Sequence, residues 1–69
     1  PEDEYVSLEI YNVLGQKVKT LVNQNQTAGK HTIIWEGKDN QNQELPSGIY
    51  FYRLKTKQNV ETRKMVFLK

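Results

Sequence analysis

Residues 5–11 alternate, with Val6, Leu8 and Ile10 on one side and Tyr5, Ser7, Glu9 and Tyr11 on the other. Period-two alternation of branched and aromatic residues predicts a half-buried strand. The stretch Asn12-Val13-Leu14-Gly15-Gln16 breaks it: Gly15 can take positive φ, and Asn12 can bond the backbone just ahead of it. Lys17–Val22 resumes the strand pattern, Val18 and Val22 inward and Lys17 and Lys19 outward, so the two runs predict a hairpin. Asn23 to Gly29 is polar and poor in strand formers, which predicts a surface loop. Lys30–Glu36 reads as the next strand, with His31, Ile33 and Trp35 on one face and Thr32 and Ile34 on the other. The consecutive Ile33-Ile34-Trp35 predicts burial on both sides and a central position. A second polar loop, 37–44, leads to the turn signal Leu45-Pro46-Ser47-Gly48. Residues 49–56 form a strong strand, Tyr50, Tyr52 and Leu54 facing one way and Ile49, Phe51 and Arg53 the other. Lys57-Gln58-Asn59 turns the chain, and 60–68 closes it with the apolar run Met65–Leu68.

No stretch carries a helical period with caps. Five or six strands separated by turn signals predict an all-β fold, a small antiparallel β-sandwich. Its expected core is Val6, Leu8, Ile10, Val18, Ile33, Trp35, Tyr50, Tyr52, Leu54, Met65 and Phe67. Sixty-nine residues fit one such domain, and a chain this short hides only about 60% of the surface its unfolded form exposes. With 26% charged residues the chain is polar, but its 10% aromatics and its branched residues set it apart from a disordered tail. The longest apolar runs are four residues, far below the roughly 20 that cross a bilayer, so no membrane span is expected. The net charge of +2 hides a gradient: Glu2, Asp3, Glu4 and Glu9 fall in the first ten residues, whereas Arg53, Lys55, Lys57, Arg63, Lys64 and Lys69 face only Glu61 after position 52. Such ends attract one another if the first and last strands are neighbours; otherwise they are solvated faces. The chain begins at Pro1, which suggests a module cut from something larger, with residues 1–4 a linker remnant and 5–69 the domain.

Candidate chemistry is sparse. There is no cysteine, hence no disulfide framework, thiolate cage or cysteine nucleophile. The single histidine, His31, has no second histidine to form a metal site with and reads as a strand-face residue. Glu36 and Asp39, with Asn40 and Asn42, offer oxygens to calcium, but the run Asp39–Glu44 lacks the central glycine and distal glutamate of an EF-hand. An Asx-rich turn that satisfies its own backbone is the simpler reading. With no Ser/His/Asp order and no phosphate-cradling loop, no catalytic residue, metal or cofactor is expected. The aromatics Tyr11, Trp35, Tyr50, Phe51 and Tyr52 beside basic residues raise the question of stacking on single-stranded nucleic acid or on sugar. Trp35 and Tyr50 are expected in the core, so no nucleic-acid partner is expected, and a sugar platform would need Tyr11, Phe51 or Phe67 in solvent.

Four segments, LEIYNVLGQKVKTLV (8–22), AGKHTIIWEGKD (28–39), LPSGIYFYRLKT (45–56) and TRKMVFLK (62–69), follow one another at set separations. Together they resemble the immunoglobulin-like C-terminal domain that serves as the type IX secretion sorting domain, a pattern close to the immunoglobulin-like domain of the flagellar hook capping protein. The resemblance implies structural roles for Gly15, Gly29, Trp35, Gly37, Gly48 and Tyr50, with Asn42 standing where the pattern has glycine and Glu36 where it has aspartate. The family opens with a Pro-Asn-Pro segment and a further strand upstream of Tyr5; neither is in this sequence, so the sandwich is expected to lack its first strand.

The resemblance further implies a non-catalytic address that directs a cargo domain lying upstream, through the periplasm, to a secreted or cell-surface location. Outer-membrane secretion machinery would be the partner, recognising Lys64, Met65, Val66, Phe67, Leu68 and Lys69. An edge strand there would offer unpaired backbone, and its lysines would steer. The alternative is a structural or adhesive immunoglobulin-like spacer of a secreted enzyme or flagellar-cap-like protein.

Overall fold

The computed structural model describes residues 4–27 and 30–69. They form one antiparallel sheet of four strands: β1 (Glu4–Tyr11), β2 (Lys17–Gln26), β3 (Gly48–Lys55) and β4 (Val60–Phe67), in spatial order β2-β1-β3-β4. The fold is all-β, and its four antiparallel strands are consistent with a small immunoglobulin-like domain.

Two hairpins build the sheet. In the first, Asn12 Oδ1 accepts the amides of Leu14 and Gln16 at 3.0 and 2.9 Å, and Gly15 takes φ +82°, as the turn signal predicts. In the second, Thr56 and Asn59 close the turn between β3 and β4 through their backbones at 2.8 Å. β1 and β3 pair across the centre, Leu8 opposite Leu54 and Ile10 opposite Tyr52. That register puts Val6, Leu8, Ile10, Tyr50, Tyr52 and Leu54 on one face. Among the described residues, Ile10, Val22 and Tyr50 are the buried apolar ones.

Between β2 and β3, residues 30–47 are anchored on the apolar face by Trp35. The indole stands 5.1 Å from both the Tyr50 and the Phe67 rings, and its Nε1 donates to the Lys38 carbonyl at 3.0 Å.

Three expectations are corrected. The expected all-β antiparallel class is the one found, but the strand count differs: the described residues hold four strands in one sheet against the five or six predicted. Residues 30–36 are not a strand and pair with none of the four; it is Asn40, further along the connection, that bonds the outer edge of β2, at Val18 and Thr20. Unpaired, Ile34 is 78% exposed and Ile33 41%, so Ile33 leaves the core and Val22 joins it. The amide run Asn23–Gln26 is strand rather than loop, because β1 extends back to Glu4 and offers each of these residues a backbone partner. Of the two readings of the charge gradient, attraction between neighbouring end strands does not apply, since β3 lies between β1 and β4.

Candidate functional site

The edge strand β4 carries most of the residues expected to meet a partner, and the pleat divides them. Met65 and Phe67 turn inward and are half-buried; Phe67 belongs to the aromatic cluster with Trp35 and Tyr50. Lys64 and Val66 point to the other face, and Val66 is 63% exposed. Leu68, beyond the strand, is 77% exposed. Lys69 is tied down: its amide donates to Ser47 Oγ at 3.0 Å and its Nζ lies 3.4 Å from Glu44 Oε1. The tail is therefore stitched to the Glu44–Ser47 turn, which Tyr50 also holds by donating its hydroxyl to the Pro46 carbonyl at 2.7 Å.

The motif residues support this end of the sheet. Gly37 has φ +76° and lies under the Phe67 ring, so that a Cβ there would run into the ring. Gly48 opens β3 opposite Phe67. Gly29 lies outside the described residues. The Asp39 loop is the self-satisfied turn: Asp39 Oδ1 accepts the amides of Gln41 and Gln43, each at 2.9 Å, and Asn42 adopts φ +65° in the place of glycine. His31 is exposed, with Nε2 2.7 Å from the Thr27 carbonyl.

Two open concavities flank the sheet. On the apolar face a groove of about 700 Å³ runs between Leu8, Val22, Leu54 and Ile33 toward Trp35. At one end of the opposite face a polar cleft of about 830 Å³ is lined by Tyr5, Ser7, Asn23, Asn25, Lys55 and Gln58.

That opposite face also holds a cluster that the sequence pattern does not reveal. Tyr11 donates its hydroxyl to Glu9 Oε1 at 2.7 Å, Lys17 Nζ lies 3.4 Å from Glu9 Oε2, and the Arg53 guanidinium sits 5.0 Å from the centre of the Tyr11 ring. The Tyr11 hydrogen bond lowers the Glu9 pKa against the opposing effect of burial, with Lys17 and Arg53 assisting. The same bond, with burial, raises the pKa of Tyr11. Alternation places Glu9 and Tyr11 on one face; the β1–β3 register, which sets Glu9 opposite Arg53, is what completes the group.

A family model described as the FlgD Ig-like domain matches residues 2–59. No curated protein matches the chain, and no solved structure does. The matched stretch takes in β1 to β3 and the turn after them; β4 follows it.

Proposed function

The chain belongs to the family of FlgD Ig-like domains, and on that premise we propose that it is a non-catalytic, structural Ig-like module of a secreted or cell-surface protein. It spaces or attaches the domains of its parent protein through its surface. The family match over residues 2–59 is the observation that carries this reading. The polar groups at the loop most suggestive of chemistry, around Asp39, are engaged with their own backbone, which fits a structural role.

A second reading, a type IX sorting module recognised by outer-membrane secretion machinery, is favoured by one observation: β4 lies at a sheet edge with Lys64, Val66 and Leu68 exposed. Fusing residues 1–69 behind a fluorescent reporter in a type IX-competent host separates the two. The structural reading expects the reporter to stay in the periplasm whether or not Lys64–Lys69 are present. Surface delivery that disappears when those six residues are removed from a still-folded module would overturn it in favour of sorting.

A further inference from the structure

At the end of the sheet that carries the β1–β2 turn, we propose a peripheral docking surface for an anionic phospholipid bilayer. Its outermost layer is aliphatic. Val13 and Leu14 form the tip of the turn at 65% and 79% exposure, where turn chemistry ordinarily sets polar residues. Phe51 pairs with Tyr11 in the antiparallel β1–β3 register, so Ile49, two residues before Phe51, lies level with that turn. Val66 stands directly opposite Ile49, both exposed, and Leu68 follows at the same end.

The register sets a second layer behind the first. Lys17, Tyr11, Phe51 and Lys64 form one row across all four strands of the polar face, each the partner of the next. One pleat repeat, about 7 Å, separates this row from Ile49 and Val66. Aliphatic tips backed by aromatic rings and flanking lysines follow the order in which a bilayer passes from acyl chain to headgroup. The spacing matches the roughly 5–10 Å to which an apolar surface sinks at that boundary. Tyr11 is oriented accordingly, its hydroxyl leading back from the tip to Glu9 at 2.7 Å.

The tip is fixed before any lipid arrives. Asn12 Oδ1 accepts the Leu14 and Gln16 amides, and the Asn12 amide donates to the Gln16 carbonyl at 3.0 Å. A preset tip lowers the ordering cost of insertion. Charge selects the bilayer. Lys64 makes no ion pair among the described residues, and Lys17 and Arg53 share Glu9 between them. Glu36, Asp39 and Glu44 belong to the connection anchored on the other face, where Glu44 lies 3.4 Å from Lys69, and Glu61 lies 2.9 Å from Arg63. The acidic run that opens the sequence joins β1 at Glu4, about 23 Å along the strand from Tyr11. In a two-fold contact between copies through this end, lysines would meet lysines, which favours lipid over a second copy. The surface would serve a spacer and a sorted domain equally.

The test is co-sedimentation of the intact chain with sucrose-loaded vesicles of phosphatidylcholine and phosphatidylglycerol in equal parts, run beside phosphatidylcholine alone. Saturable binding to the mixed vesicles is expected, with binding to phosphatidylcholine weaker by about tenfold. Leu14→Ser lowers the partition coefficient about tenfold or more. Lys64→Gln lowers it about threefold, a loss that shrinks at high salt. Both side chains are exposed, so the sheet stays folded in each variant, and an unchanged far-UV circular dichroism spectrum checks this. Absence of binding to the mixed vesicles, or binding that Leu14→Ser leaves intact, overturns the surface. Equal binding to both kinds of vesicle overturns its preference for anionic lipid. Dimers in analytical ultracentrifugation that Leu14→Ser abolishes, with no vesicle binding, reassign the tip to a second copy.

Discussion

Gly37 is the residue at which two constraints coincide. Its φ of +76° lies where side chains are strained, and the Phe67 ring fills the space a Cβ would take. Gly37→Ala is therefore expected to cost about 2–4 kcal/mol, measured by urea denaturation. Gly15, at a similar φ but with open space around it, should lose less on the same change. Glu9 and Tyr11 make the stability of the fold depend on pH in opposite directions. The folded pKa of Glu9 is depressed, so its contribution is present above 4.5 and fades as pH falls through the lower folded value. The folded pKa of Tyr11 is raised, so its contribution is complete below 10.0 and fades as pH climbs through the higher folded value. Stability curves against pH should flatten at the acid end in Glu9→Gln and at the alkaline end in Tyr11→Phe; unchanged slopes would mean that the 2.7 Å bond does not persist in solution. At this scale the sequence is informative where chemistry is local: Asn12, Asp39 and Asn42 act on backbone within four residues of themselves. The Glu9 cluster draws on Lys17 eight positions away and Arg53 across a strand pair, and no local pattern announces that.

The strands show which parts of a pattern are physical instructions and which are only permissive. Alternation in 5–11 and 49–56 specifies a face as well as a conformation, and both stretches are strands with the expected faces. The apolar run at 30–36 has strand-like composition but pairs with no strand, and strand propensity measures fit to a pleated surface rather than a backbone command. The reverse holds for Asn23–Gln26, where weak strand formers are carried into β2 because β1 continues opposite them. Edges raise a related question, since an unpaired strand edge invites other chains. β2 is blunted by Asn40, whose amide donates to the Val18 carbonyl at 3.0 Å while its Oδ1 accepts the Thr20 amide at 3.1 Å. Asn40→Ala removes the side-chain half of this clasp. It should cost about 1 kcal/mol and speed hydrogen exchange at Thr20 while leaving the β1–β3 amides protected. Exchange at Thr20 that stays as slow as in the parent would show that the backbone bond alone covers the edge.

A sheet with one apolar face needs a cover, and here the cover is thin. The radius of gyration is 12.6 Å, against about 11 Å for a compact domain of this length, and the principal extents are 38 × 19 × 18 Å. The chain is drawn out because a single irregular connection, rather than a second sheet, lies over the groove beside Leu8, Val22 and Leu54. Trp35 is its main anchor, through two ring contacts and one hydrogen bond. The sequence does indicate that Trp35 belongs with the core, but it does not indicate that the segment bearing it would cover the sheet without pairing to it. A domain of this size is stable by only about 3–10 kcal/mol. Trp35→Ala, a loss of about 3 kcal/mol once its partial exposure is allowed for, should therefore lower the unfolding midpoint sharply or leave the chain partly unfolded at 25 °C. Trp35→Phe keeps a ring against Tyr50 and Phe67 and gives up the bond to the Lys38 carbonyl, so it should cost less, about 1–2 kcal/mol. Far-UV circular dichroism through a urea titration reads both. The two variants falling together would assign the energy to the indole hydrogen bond, whereas a clear gap between them assigns it to apolar cover over the sheet. If Trp35→Ala unfolded at the parent's midpoint, the connection would be shown to contribute nothing to holding the sheet, and the fold would rest on the two hairpins alone.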